Sequence, residues 1–283
     1  MRQISRRHFL EASSLLAGAL TLSACGGSSD SSEATTDEAT TDEATTDATD
    51  GVTTVEAGKL TCISNLYFPP FDSMNEKTGE AEGFDIDISK SLAEHMDLEV
   101  NWLPSQSFDS LIPTIKAGGT ADIAIAGMTI TDAREEEVFM SDPYVDSNQS
   151  LVTKVGSEET LDSLNAEDKK IAVQAGTTGA DWAQENLPNA TIVPLDDIIS
   201  AMNGVVTGSY DALVTDLPVS SYQIKNSFDQ LQIIEEIPTG EQYGIAVSKD
   251  NPALCEAINS ALAAMVSDGS MAKIQVEWFG AEL

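Results

Sequence analysis

The chain has 283 residues, with 14 Lys and Arg against 47 Asp and Glu, for a formal net charge of −33. That length holds one large domain or two modest ones, each able to bury a core, and so acidic a chain argues against nucleic acid as a partner and against adhesion to anionic lipid through a basic face. The charge falls in three pieces: net +2 over residues 1–24, net −9 over residues 25–58, and net −26 over residues 59–283, where Arg134 is the one arginine.

The first piece reads as an export signal. Ser5-Arg6-Arg7-His8-Phe9-Leu10 precedes an uncharged run from Ala12 to Ala24. Such a run extends about 20 Å as a helix, short of the ~30 Å bilayer core, so a signal-peptide core fits better than a membrane span. The twin arginine resembles a Tat signal, although Glu11 stands where that pattern often has Lys, which leaves Tat and Sec both open. Leu22-Ser23-Ala24-Cys25 resembles a lipobox, in which residues 1–24 are removed and Cys25 is lipidated.

Residues 25–58 follow as an acidic linker. Glu-Ala-Thr-Thr-Asp repeats three times from Glu33 to Asp47, and residues 28–50 hold no aromatic or aliphatic side chain larger than Ala. Nothing there repays the entropy of ordering, so the segment is expected to be a disordered, self-repelling spacer.

From Lys59 the pattern becomes β-rich runs alternating with helical ones. Strands are predicted at Leu60–Leu66, Glu99–Leu103, Asp122–Ala126, Lys170–Gln174, Thr191–Val193 and Asp211–Thr215. Helices are predicted at Asp85–Met96, Phe108–Ala117, Gly179–Leu187, Asp196–Thr207 and Leu217–Lys225. This alternation implies an α/β fold with mostly parallel sheets, whose ligands sit beyond the carboxyl ends of the strands.

The segments after those strands carry the chemistry. Tyr67-Phe68-Pro69-Pro70-Phe71 offers aromatic walls. Gly127-Met128-Thr129-Ile130-Thr131-Asp132-Ala133-Arg134 places Thr131 to cap a helix beside the Arg134 guanidinium, which makes an anion site; the plainer alternative is a surface ion pair with Glu135 to Glu137. Gln174-Ala175-Gly176-Thr177-Thr178 is a second glycine loop feeding a helix. Asp216, with Pro218 close behind, is placed to cap a helix and to accept from a cation. One planar bidentate cation, one carboxylate and aromatic walls match a zwitterion, with carboxylate on Arg134 and ammonium on Asp216.

Cys62 and Cys255 lie in apolar contexts, so two buried free thiols are the plainer reading, while export permits a disulfide. His95, between Glu94 and Met96, reads as a surface helix residue. No phosphate loop, zinc-spaced cluster or Ca²⁺ loop is recognisable, and neither cofactor nor metal is expected.

Residues 59–283 resemble the polar-amino-acid solute-binding proteins of ABC transporters. The motifs in family order are Phe68-Pro69-Pro70-Phe71, Gly83-Phe84-Asp85-Ile86-Asp87, Phe108 to Pro113, Gly127 to Arg134, Ser141-Asp142-Pro143-Tyr144, Ala172 to Thr178, Tyr243 to Val247 and Trp278-Phe279-Gly280. The resemblance implies a two-lobed, Venus-flytrap fold like that of periplasmic binding proteins, each lobe a mostly parallel sheet flanked by helices. Lobe one would span residues 59–147 and 242–283, lobe two residues 148–241, with a two-strand hinge near Val145 to Leu151 and Thr239 to Tyr243. It further implies that Arg134 and Thr129 hold the ligand carboxylate, the Gly127 carbonyl and Asp216 hold the ammonium, Phe68 and Phe108 sandwich the ligand, and Thr178 closes from lobe two.

Asn65 stands where relatives that grip a cationic or amide side chain often carry an acid, and Gln174, Thr215 and Tyr67 are further candidates for that pocket. A neutral polar ligand is therefore expected, glutamine first, then a basic amino acid or cystine. The implied protein is a monomeric, exported, lipid-anchored binding component that delivers its ligand to an ABC permease. The alternatives are a ligand sensor for a separate receptor and a cyclic-carboxylate dehydratase on the same fold. The cleft loops lack the His or Cys that catalysis would favour.

Overall fold

The computed structural model describes residues 52–75 and 77–282. The export signal, Cys25 and the acidic repeats lie outside those residues. Residues 52–58, placed in the disordered linker by composition, are a correction: they lie against the body. Val52 packs on the main core, the Val55 N–H donates to Asp122 Oδ1 at 2.7 Å, and Asn251 Nδ2 donates to the Thr53 carbonyl at 2.7 Å. A valine and two backbone partners supply what the upstream repeats lack.

The chain first builds β1 (Lys59–Ile63), a small antiparallel sheet of β2 (Tyr67–Phe68), β3 (Asp72–Met74) and β4 (Ala81–Glu82), then α1 (Phe84–His95) and β5 (Glu99–Trp102). A 3₁₀ turn at Phe108–Ser110 leads into α2 (Leu111–Ala117). The single helix predicted over Phe108–Ala117 is divided because an α-helix starting at Leu111 puts Pro113 in its first turn, where no N–H is needed. Then follow β6 (Ile123–Ala124), α3 (Asp132–Glu137) and β7 (Phe139–Met140).

Next come β8 (Val145–Lys154), α4 (Leu161–Leu164), β9 (Lys170–Gln174), α5 (Thr178–Asn186), β10 (Thr191–Leu195), α6 (Ile198–Thr207), β11 (Ala212–Asp216), α7 (Leu217–Asn226) and β12 (Leu231–Tyr243). The chain closes with β13 (Ala246–Val247), α8 (Pro252–Asp268) and α9 (Ser270–Phe279).

These strands form two five-stranded sheets, in orders β5-β1-β6-β13-β7 and β10-β9-β11-β8-β12. The fold is α/β and two-lobed. β1 is parallel to β5 and β6, and β9 is parallel to β10 and β11. Strand β11 is buried along its whole length, as a strand covered on both faces must be. Both sheets are mixed, since β13 runs antiparallel to β6 and β7, and β8 runs antiparallel to β11 and β12. These antiparallel strands escape the predicted pattern because β8 and β12 are long and rich in polar residues, with no single apolar run to mark them.

β8 and β12 pair from Lys154 with Leu231 to Val145 with Tyr243, and there the backbone passes to the first sheet: Tyr144 N–H donates to the Tyr243 carbonyl at 3.0 Å and Gly244 N–H to Met128 at 2.9 Å. The first lobe is closed behind by α1, which packs on α8 and α9 through Phe84, Ile88 and Leu92, one apolar stripe at helical spacing. His95 is an exposed residue at the end of α1, as expected, and its Nε2 meets Asp268 Oδ2 of α8 at 3.0 Å. Cys62 and Cys255 are buried free thiols. No helix among the described residues is long and apolar enough to cross a membrane.

Candidate functional site

The carboxyl ends of β6, β9 and β11 and the segments that follow them converge on one cavity between the sheets. It is lined by Phe68, Phe108, Gly127, Thr129, Arg134, Gln174, Thr178 and Asp216, together with Thr177. Asn65 adjoins it, its Oδ1 accepting from Gln174 Nε2 at 2.9 Å and its Nδ2 donating to the Gln106 carbonyl at 2.8 Å. Tyr67 and Thr215 are not in the lining. Successive strand residues point to opposite faces, so Phe68 and Asp216 take the cavity side while Tyr67 stays 49% exposed and Thr215 is buried behind.

Gly127 sits at φ +54°, and a Cβ there would lie 2.8 Å from the Phe68 ring, so only glycine lets the loop come so close. Its N–H donates to Asp85 Oδ2 at 2.7 Å, and Asp85 also accepts from the Tyr144 hydroxyl at 2.9 Å. Burial and the charge of Asp72 push the Asp85 carboxyl well above the ordinary range.

Thr131 caps α3 by accepting from the Arg134 N–H at 3.2 Å. The Arg134 guanidinium turns inward: Nη1 donates to the Thr129 carbonyl at 2.6 Å, Nη2 to the Gly176 carbonyl at 3.1 Å, and the group lies 5.3 Å from the Phe108 ring centre. Among the described residues it makes no ion pair with Glu135 to Glu137; Glu137 pairs with Lys116 instead. Burial lowers the guanidinium from its usual value, opposed by the charges of Asp216, Glu241 and Asp181.

Asp216 occupies the N-cap position of α7 without capping it. Its carboxylate accepts instead from the Tyr243 hydroxyl and, at 2.6 Å, from Gln149 Nε2. Burial, then the charge of Glu241, raises it to about 7, against the pull of Tyr243, Gln149 and Arg134.

Gln149, Thr177 and Glu241 were not singled out from sequence. Glu241 Oε2 accepts at 3.0 Å from Thr129 Oγ1, Thr178 Oγ1 and Gln149 Nε2. The one signal for it is an acid at the second crossing between the sheets, in Thr239-Gly240-Glu241-Gln242-Tyr243.

The cavity holds only about 10 Å³, room for about one water, so a larger guest enters only if the lobes part. Among the described residues no cluster of His, Cys, Asp and Glu is arranged to hold a metal.

Residues 60–281 match the model of the bacterial extracellular solute-binding proteins, family 3. The chain belongs to that family. It is 35% identical to the ABC transporter arginine-binding protein 1 of Escherichia coli K12, over 75% of this chain and 87% of that protein. Among solved structures, an ancestral arginine-binding protein bound to glutamine matches with a TM-score of 0.73 and 36% identity, over 80% of this chain and 99% of the other. An ancestral amino acid-binding protein described as a precursor of cyclohexadienyl dehydratase matches with a TM-score of 0.73 and 35% identity, over 78% and 96%. This chain is therefore a substrate-binding protein of ABC amino-acid transport.

Proposed function

We propose that the protein binds a polar α-amino acid between its lobes and delivers it to an ABC permease. The supporting observation is that Arg134, from the first lobe, and Asp216, from the second, line the same cavity. A zwitterion presents one group to each: its carboxylate to Arg134 and Thr129, its ammonium to Asp216 and the Gly127 carbonyl. Phe68 and Phe108 are the walls, Thr178 closes from the second lobe, and Asn65 and Gln174 meet the side chain. Two amides suit a glutamine side chain, since each can donate and accept; the arginine-binding relatives keep basic amino acids next, with cystine after them.

The paired strands β8 and β12 act as the hinge, with lobe one at residues 59–147 and 242–283 and lobe two at 148–241. The open form takes the ligand on Arg134. Contacts from Asp216 and Thr178 arise only on closure, so ligand shifts the population toward the closed form that a permease reads. The protein acts as a monomer, exported and held to the membrane through lipidated Cys25, with the acidic segment as its tether. Binding rather than catalysis is favoured because Asp216, the one acid in the cavity lining, is engaged by Tyr243 and Gln149 and claimed by the ammonium.

A thermal-shift screen against the common amino acids tests the proposal. A ligand at 100 times its Kd adds about 2.7 kcal/mol of stability; a clear rise with glutamine, a basic amino acid or cystine is expected, and no rise with any amino acid would sink the proposal.

A further inference from the structure

We propose that Asp85, a buried acid behind the cleft, is a positioning residue for ligand binding: its carboxyl fixes the start of the loop from Gly127 to Thr129 and so sets where Arg134 points. The inference rests on the amino-acid reading of the cleft. Asp85 is fully buried in the first turn of α1 and makes no ion pair among the described residues. A buried carboxyl without a cation is destabilising unless its oxygens find donors. Both donors come from outside α1: Oδ2 accepts from the Gly127 N–H at 2.7 Å and Oδ1 from the Tyr144 hydroxyl at 2.9 Å.

The loop that Gly127 opens is held at both ends. Its far end is stitched to the end of β12, with Ile130 N–H donating to the Gln242 carbonyl at 2.8 Å and Gly244 N–H to the Met128 carbonyl at 2.9 Å. Its near end has Asp85. Between the two lies the Thr129 carbonyl, which accepts from Arg134 Nη1 at 2.6 Å. Gly127 turns at φ +54°, where glycine's freedom also leaves many neighbouring conformations open, so the acceptor on its N–H supplies the constraint that no side chain does. Tyr144, the residue before β8, is tied through its own N–H to the Tyr243 carbonyl at 3.0 Å. Asp85 therefore joins the ligand loop to the first crossing between the sheets. The bond to Gly127 does not depend on charge. Burial and the charge of Asp72 push the Asp85 carboxyl up, yet a neutral carboxyl still offers an acceptor to Gly127 while the Tyr144 hydroxyl turns to accept; an asparagine at 85 can do the same.

Two measurements on wild type, Asp85→Ala and Asp85→Asn test the assignment: the calorimetric Kd for an amino acid that binds the wild-type protein, and hydrogen exchange of the Gly127 amide in the ligand-free proteins. Asp85→Ala should bind about tenfold more weakly at a temperature well below its melting point. Its Gly127 amide should exchange faster while the amides of β1 stay protected. Asp85→Asn should bring Kd back to within about threefold of wild type and slow the Gly127 exchange again. An acid that served the core alone would lower the melting temperature of Asp85→Ala and leave Kd where it was. That result, or an Asn variant that binds as weakly as the Ala variant, overturns the assignment. If circular dichroism shows that Asp85→Ala does not fold, wild type and Asp85→Asn carry the test: a Gly127 amide that exchanges in ligand-free wild type as fast as in an unstructured peptide overturns it, as does a tenfold loss of affinity in the Asn variant. Wild-type protein that binds no amino acid overturns the amino-acid reading itself, and the exchange measurement, which needs no ligand, reads the anchor separately.

Discussion

The guanidinium of Arg134 donates at 3.1 Å to the carbonyl of Gly176, so the body's lone arginine joins a first-sheet helix to a second-sheet loop. Gln174 Nε2 makes a similar crossing to Asn65 Oδ1 at 2.9 Å. Arg134, Gln174 and Asn65 thus find partners within the closed cleft, as buried polar groups generally do, and a ligand has to exchange those partners for its own.

Gly176 makes the approach possible. It sits at φ +75°, and a Cβ there would lie 2.8 Å from Asp109 Cβ on the other side of the cleft. Gly176→Ala should therefore hinder closure, weakening amino-acid binding by about tenfold or more, the equivalent of one strained residue of about 1–2 kcal/mol. Small-angle scattering should show the ligand-induced contraction reduced; full contraction with wild-type Kd would refute the role given to Gly176.

The buried acids set a pH dependence of unusual sign. Asp216 and Asp72 are each raised to about 7, by burial above all, and Asp85 is also raised. A carboxyl raised above its unfolded value of 3.8 contributes stability that is present below that value and is lost as pH climbs through about 7. Unliganded protein should accordingly melt higher at pH 5 than at pH 8. Amino-acid affinity should move the other way, falling by up to tenfold per pH unit below about 7 as Asp216 gains its proton. Asp216→Asn should flatten the affinity trend and only lessen the stability trend, since Asp72 and Asp85 keep their raised carboxyls; melting temperatures that fall between pH 8 and pH 5 would contradict this assignment.

Cys62 is completely buried and Cys255 nearly so, and burial pushes both thiols up. A thiolate is the reactive form. Native protein at pH 8 should leave both unlabelled by a thiol reagent, as peptide mass mapping reads, and both should label in denaturant. Reductant should not change the melting temperature, since no disulfide joins them. Rapid labelling of Cys62 in the folded state would contradict its burial.

The parts of the site that were legible in the sequence are those carried by the ends of parallel strands. Arg134 stands out because no other arginine follows residue 7, and Asp216 because it ends an apolar strand just before a proline. Tyr67 and Phe68 form a strand of two residues, too short for alternation to show which side chain faces the cavity. Glu241 and Gln149 were hidden for a topological reason: they meet across antiparallel crossing strands, 92 residues apart, in segments with no apolar periodicity. Residues 52–58 look like spacer by composition, and only the Asp122 carboxylate and the Asn251 amide, far away in the chain, give their backbone a place to bond.

The central claim is that an amino-acid carboxylate is held by Arg134, and titration calorimetry of wild type against Arg134→Ala and Arg134→Lys tests it most directly. Wild type should bind one amino acid per chain; Arg134→Ala, with an unchanged circular dichroism spectrum, should lose at least about a hundredfold in affinity, the scale of two charge-assisted hydrogen bonds. Lysine should restore little, because its point charge cannot reproduce the planar fork. A folded Arg134→Ala protein that binds the amino acid with wild-type Kd would contradict the account.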